Sequence, residues 1–104
     1  MKIEILYVPG CPNYQAASDA VKNLLATESL RAEIREVAVH TEAAAAALRF
    51  PGSPTIRING DDVEPESAGS IGLACRLYQN RRGVPAETAI WRAMARAAEK
   101  QKCE

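Results

Sequence analysis

The feature that most constrains this fold is a strand-like apolar run that breaks at Pro9-Gly10 and passes directly into a helical pattern. Residues 3–8 (Ile-Glu-Ile-Leu-Tyr-Val) are nearly all apolar, which is typical of a strand covered on both faces. From residue 13 to about residue 28, apolar side chains recur at helical spacing, which predicts an amphipathic helix packed on the sheet. Cys11 lies at the junction between the two elements.

The rest of the chain continues to alternate between strand and helix patterns. We predict strands at 31–39, 55–58, about 61–64 and 73–78, a short helix at 43–48, and a last helix that begins near Pro85. Asn59-Gly60 is a strong hairpin signal, and Thr41 suits the N-cap of the short helix. The 31–39 pattern changes phase between Arg35 and Glu36, which predicts either a bulge or a charged side chain turned inward.

This order of elements predicts one α/β domain that spans residues 1–104. In the order βαβαββα, a right-handed crossover makes the first two strands parallel and lets helices cover a mixed central sheet. Such a sheet binds ligands at the carboxyl ends of its parallel strands, which is where Cys11 falls. The last helix has an apolar stripe of Ile90, Met94 and Ala97 for the core.

Composition argues against several kinds of partner. The 104 residues carry 13 basic and 13 acidic side chains and no basic patch, so we expect neither a nucleic-acid nor a membrane partner. The sequence lacks a membrane-length apolar stretch and a signal-peptide pattern, so we expect a cytoplasmic protein with reduced cysteines. Three cysteines do not form a disulfide framework, and we predict no cofactor and no metal site of recognised spacing.

Cys11 is the first candidate for chemistry. A thiol where a helix begins lies near unpaired N–H groups and the positive end of the helix dipole, and both favour the thiolate. The thiolate is the form that attacks disulfides and peroxides or binds soft metal ions. The alternative is that Cys11 is only a small buried side chain, since free cysteines are often buried.

The turn-rich segment 50–54 (Phe-Pro-Gly-Ser-Pro) is the second candidate. Its context favours a cis peptide bond between Ser53 and Pro54, and an ordinary trans turn proline is the alternative. A cis bond would turn the backbone of Ser53 towards Cys11. Ser53, Pro54 and Thr55 would then bind an extended thiol substrate by strand addition.

These two segments resemble the thioredoxin-like superfamily, and the second half resembles glutaredoxins in particular. The strand before Gly10-Cys11-Pro12-Asn13-Tyr14 and the helix after it are similar to the redox-motif region of that superfamily. Ser53-Pro54-Thr55-Ile56, followed by Asn59-Gly60, looks like the segment that holds its cis-proline. The chain also looks like small bacterial proteins labelled alkylmercury-lyase-like or thioredoxin-like, some of which carry selenocysteine at the position of Cys11.

The resemblance implies a thioredoxin-like fold over residues 3–64 and the last helix, with 65–83 as an insertion and Cys11 as the chemical centre. One departure matters: Tyr14 stands where a dithiol oxidoreductase has its second cysteine, which excludes a Cys-x-x-Cys cycle. The resolving thiol would have to be Cys75, Cys103 or external glutathione. Pro12 and Tyr14 are candidate substrate contacts, and the Tyr14 hydroxyl could donate a hydrogen bond to the thiolate.

The surroundings of Cys75 leave two roles open for it. Cys75 is in phase with Leu73 and Leu77, which predicts core packing, and its alternative role is as the catalytic partner of Cys11. Arg76 alternates with Cys75 and would face the opposite side as a solvated or paired surface arginine, or hold a glutathione carboxylate.

We therefore predict a monothiol redox protein, either a thiol-disulfide oxidoreductase or a thiol peroxidase, in which Cys11 acts on disulfides, glutathione adducts or peroxides. A soft-metal or metalloid module, binding mercury or arsenic through thiolates, is the alternative. A third possibility is an interaction domain that keeps the fold without the chemistry.

Overall fold

A computed structural model describes residues 1–102, with side chains described as far as residue 100, so Cys103 lies outside the described residues. The predicted mixed α/β class is confirmed. The elements are β1 (Lys2–Tyr7), α1 (Tyr14–Thr27), β2 (Glu33–Ala38), α2 (Glu42–Leu48), β3 (Thr55–Ile58), β4 (Asp61–Asp62) and α3 (Glu87–Lys102), with a 3-10 turn at Pro65–Ser67.

The four strands form one mixed sheet in the order β2-β1-β3-β4. Strand β1 is parallel to β2 and antiparallel to β3, and β3 is antiparallel to β4. The parallel pairing follows from the α1 crossover between β1 and β2. The segment that contains Cys11 joins the carboxyl end of β1 to the start of α1, at one end of the sheet.

The phase change in the second strand places a charged side chain, Glu36, on the face of the sheet that α1 covers, where it stays exposed. Strands β1 and β2 pair without interruption from Lys2↔Glu33 to Tyr7↔Ala38, so no bulge is present between them. Glu36 lies opposite Ile5, on the face covered by α1. The hydroxyl of the buried Ser18 donates a hydrogen bond to Glu36 Oε1 at 2.9 Å, which satisfies the carboxylate there.

The predicted hairpin at Asn59-Gly60 is confirmed. Both residues have positive φ (52° and 88°), as a two-residue type I′ turn requires. The turn is also tied to β1, because the Asn59 N–H donates to the Lys2 carbonyl at 2.7 Å and the Lys2 N–H donates to Asn59 Oδ1 at 2.8 Å. Strand β4 ends earlier than predicted, because the chain turns into the 3-10 segment at Pro65.

The helices bury one apolar stripe each. Thr41 caps α2 as predicted, since its Oγ1 accepts a hydrogen bond from the Ala44 N–H at 3.0 Å. The main core lies between the sheet, α1 and α3, and it includes the predicted stripe of Ile90, Met94 and Ala97. A smaller core on the other face consists of Leu6, Val39, Ala45 and Phe50.

The predicted strand at 73–78 is wrong. This segment makes only an isolated parallel bridge, between Ser53 and Cys75. The predicted phase is also reversed, because Arg76 and Tyr78 are buried whereas Cys75 and Leu77 are exposed. The prediction failed because hydrophobicity alone places an arginine at the surface. Arg76 is buried here because it forms an ion pair with Asp62.

Across residues 1–102, no helix has both the length and the apolar character needed to cross a bilayer.

The packing of α3 yields a stability prediction. Met94 is fully buried in the main core, so Met94→Ala should lower the free energy of unfolding by about 2–5 kcal/mol. Arg92 lies on the exposed side of the same helix, and Arg92→Ala should change the free energy of unfolding by no more than about 0.5 kcal/mol. Urea unfolding of both variants measures the difference, and equal losses would contradict this account of the core.

Candidate functional site

Cys11 lies in the turn between β1 and α1. Its N–H donates to the Val8 carbonyl at 3.0 Å, and Gly10 inside this turn has a φ of 87°, which favours glycine. Cys11 is half-buried and precedes the helix N-cap, Asn13, by two residues. The thiol is therefore close to the start of α1 and not sealed in the core, while Pro12 beside it is exposed.

Tyr14 belongs to the support of this turn. Its ring stacks on Tyr7, with 3.8 Å between the centroids and an interplanar angle of 14°. Burial raises the pKa of Tyr14, and its hydrogen bond to Glu36 raises it further, so the phenol stays protonated. Glu36 is the group that most affects the Tyr14 hydroxyl after burial, and a hydrogen bond from Tyr14 to Cys11 stays a prediction.

Glu36 is the centre of a small polar network under the first turns of α1. Hydrogen bonds from Tyr14 and Ser18 hold the pKa of Glu36 below its usual value. Lys22 Nζ lies 3.7 Å from Glu36 Oε1 and adds a favourable charge. This network ties α1 to β2 and so fixes the helix that follows Cys11.

The predicted cis peptide bond between Ser53 and Pro54 is confirmed. Ser53, Pro54 and Thr55 are all buried. Ser53 Oγ accepts a hydrogen bond from the Val8 N–H at 2.9 Å, which joins this segment to the end of β1. Thr55 Oγ1 donates to the Gly52 carbonyl at 2.7 Å, so its hydroxyl is used inside the protein.

The backbone edge of Ser53 is occupied by the chain itself. The Ser53 N–H donates to the Ala74 carbonyl at 2.9 Å, and the Ser53 carbonyl accepts from the Arg76 N–H at 3.0 Å. The expectation that Ser53 offers free backbone groups to an extended substrate is therefore wrong, because residues 74–76 already pair with both of them.

Cys75 is the residue that this pairing places directly opposite Ser53. It is exposed, so the prediction of core packing is wrong, and its neighbour Leu77 has 62% of its surface exposed. Cys11 is hydrogen-bonded to Val8, and Val8 to Ser53. The structure thus brings both described cysteines to the same end of the sheet.

Arg76 is buried with only 3% of its surface exposed, which contradicts the prediction of a solvated arginine. Its guanidinium donates to both carboxylate oxygens of Asp62, at 2.7 and 2.9 Å, and to the Glu64 carbonyl at 2.8 Å. It also donates to Thr55 Oγ1 at 3.1 Å and to Ser67 Oγ at 3.0 Å. Desolvation opposes the charge, but the hydrogen bonds and charge of Asp62 outweigh it and raise the pKa of Arg76.

Tyr78 completes the contacts of this segment with the sheet. The Arg76 guanidinium carbon lies 4.3 Å from the centre of the Tyr78 ring, which is a cation–π distance. The Tyr78 hydroxyl donates to the Pro54 carbonyl at 2.6 Å, and burial raises the pKa of Tyr78. Tyr78 was not a predicted site residue, and Arg76 was considered only as a surface residue that could hold a glutathione carboxylate. Their alternation with Cys75 and Leu77 is the signal that could have identified them.

The acidic residues that follow the hairpin hold this segment in place. Besides Asp62, the buried Glu64 accepts a hydrogen bond from the Gln79 N–H at 2.9 Å. Within the described part of the chain, no three or more His, Cys, Asp or Glu side chains are grouped so that they could hold a metal ion. A cavity of about 780 Å³ lies between the 61–66 segment and α3, and neither cysteine lines it.

The chain matches no protein-family model, and no curated protein or solved structure matches it.

The buried ion pair yields a prediction. Asp62→Asn leaves the guanidinium of Arg76 buried without its counter-charge, so the free energy of unfolding should fall by about 3–5 kcal/mol. The matched control is Glu33→Gln in the exposed pair with Arg35, which should cost no more than about 1 kcal/mol. Urea unfolding measures both effects, provided that the dependence of the unfolding free energy on urea concentration is the same for each variant. A loss for Asp62→Asn as small as the control would contradict the structural role of the pair.

Glu36 yields a prediction on pH. Because its pKa is lower in the folded state, the stability that it contributes is present above its unfolded pKa and lost as pH falls through the folded value. Stability should thus decline as pH falls below about 4.5, and Glu36→Gln should remove part of that decline. Unfolding free energies across acidic pH, with Glu33→Gln as control, would show it. Parallel curves for wild type and Glu36→Gln would count against the network.

Proposed function

We propose that the fold is thioredoxin-like, with residues 65–83 as an insertion. The strand order β2-β1-β3-β4, the α1 crossover and the cis Ser53–Pro54 bond just before β3 support this assignment. Residues 65–83 fall between β4 and α3 and contain no strand within the described part of the chain.

We further propose that the protein is a monothiol redox protein in which Cys11 is the reacting group. The observation that carries this proposal is the position of Cys11: half-buried, at the carboxyl end of β1, and two residues before the N-cap of α1. A half-buried thiol at such a position is reachable by small molecules. Tyr14 stands at the position of a local second thiol, so the chemistry begins with one sulfur.

The reaction of Cys11 with a disulfide is a simple exchange. The thiolate attacks one sulfur of the disulfide, a new S–S bond forms as the old one breaks, and the other half leaves as a thiolate that takes a proton from water. With a peroxide, the thiolate attacks one oxygen, the O–O bond breaks, and Cys11 becomes a sulfenic acid while hydroxide or an alkoxide leaves and takes a proton from water. External glutathione or another thiol of the chain completes either cycle.

Cys11 must stay in its reduced thiol form to react, which suits a cytoplasmic protein with a small thiol such as glutathione as its partner. The alternative proposal is a module that binds a soft ion, such as mercuric ion or arsenite, through thiolate ligands. The observation that favours this alternative is that Cys75, like Cys11, is accessible at the same end of the sheet.

We expect Cys11→Ser to slow the reaction with glutathione disulfide and with hydrogen peroxide to the background rate of the exposed Cys75, because the proposed attacking sulfur is gone. Cys103→Ser, outside the described residues, is the control and should keep the reaction of Cys11. Release of reduced glutathione and loss of peroxide are the measurements, with circular dichroism to show that both variants fold. An unchanged rate in Cys11→Ser would refute the proposed function.

A further inference from the structure

We infer that residues 74–76 close the edge of Ser53 to peptide substrates and present Cys75 as the thiol that resolves Cys11 within the same chain. The inference rests on the proposed function of Cys11 and deepens it. The substrates that follow from it are small disulfides and peroxides, not extended polypeptides, and the oxidised product is a Cys11–Cys75 disulfide.

The first support is the occupancy of the edge. An extended peptide that adds to a strand needs a free N–H and a free carbonyl on its host. At Ser53 both groups are already hydrogen-bonded to Ala74 and Arg76. A polypeptide would have to displace this segment before it could bind there, whereas a small disulfide or a peroxide needs only access to the sulfur of Cys11.

The second support is how the segment is held. The buried guanidinium of Arg76 binds Asp62 through two hydrogen bonds, and the Tyr78 hydroxyl binds the Pro54 carbonyl. The same insertion also approaches the start of α1, because any side chain added at Gly83 would collide with the amide group of Asn13. The insertion is thus anchored on Asp62 and lies close to the helix start next to Cys11.

The third support is the position of the two sulfurs. Cys75 pairs with Ser53, the Val8 N–H donates to Ser53 Oγ, and the Cys11 N–H donates to the Val8 carbonyl. Arg76 lies against Gly52 and Thr55, so its neighbour Cys75 points to the other side of the extended segment, where it is exposed. Val8 and Ser53 are hydrogen-bonded to each other, and each of them is also the backbone partner of one cysteine. The two cysteines therefore flank the same contact.

Resolution is a second exchange on the same sulfur. The Cys75 thiolate attacks Cys11 in its mixed disulfide, the Cys11–Cys75 bond forms, and the bound thiol leaves reduced. If Cys11 is a sulfenic acid, the same attack releases water after its oxygen is protonated. Two equivalents of an external thiol, such as glutathione, then reduce the intrachain disulfide and are themselves oxidised.

The test compares Cys103→Ser, which keeps Cys11 and Cys75, with the double variant Cys75→Ser/Cys103→Ser. Each reduced protein is treated with glutathione disulfide, then alkylated, digested without reductant and mapped by mass spectrometry. We expect a linked Cys11–Cys75 peptide, two hydrogens lighter than its parts, in Cys103→Ser. We expect a stable glutathione adduct on Cys11 in the double variant, which should fold normally because Cys75 is exposed.

The outcomes separate the inference from the proposed function. A glutathione adduct that persists on Cys11 of Cys103→Ser, without the linked peptide, overturns the inference and leaves the proposed function intact. Absence of any Cys11 modification in both proteins refutes the proposed function itself. As a second readout, Cys103→Ser should reduce glutathione disulfide but should not reduce the disulfides of insulin faster than Cys11→Ser does. Comparable rates on both would show that the edge opens to polypeptides.

Discussion

The buried guanidinium of Arg76 is the interaction on which the irregular half of this structure depends. Transfer of a charged group from water to the protein interior costs several kcal/mol of folding free energy. A counter-charge and hydrogen bonds must replace the lost solvent to offset that cost. Asp62 supplies the counter-charge, and three further acceptors surround the remaining N–H groups, although Nε has no partner among the described residues. These hydrogen bonds join residues 55, 62, 64 and 67 to residue 76, so the ion pair stabilises the observed conformation of the segment between them.

That conformation determines what the end of the sheet can do. With Arg76 fixed, its N–H meets the Ser53 carbonyl and Cys75 faces solvent. The edge that would otherwise be open beside Pro54 is filled, and unpaired backbone groups there are removed. A segment without regular secondary structure is thus held against the sheet by side-chain hydrogen bonds in addition to its two backbone bonds to Ser53.

Much of the regular structure could be predicted because its signals are local. The apolar run of β1, the helical spacing of α1, the Asn59-Gly60 turn and the Thr41 cap each act over a few residues, and the structure has all of them. The 73–78 segment could not be predicted in the same way. Alternation permits two phases, hydrophobicity favoured the one that buries Leu77, and the partner that reverses the choice, Asp62, lies 14 residues from Arg76.

The site was predictable to a similar degree. Cys11 and the cis bond at Pro54 lie where sequence patterns suggested, but the use of Ser53 by the chain depends on that same non-local pair. Tyr14 connects the two observations. Its ring packs on Tyr7 and its hydroxyl interacts with Glu36. Residue 14, where a second local thiol would lie, therefore helps to hold α1 in place. In our proposal, the resolving sulfur for this single-thiol turn comes from another segment, and the insertion that fills the Ser53 edge is the described segment that carries one.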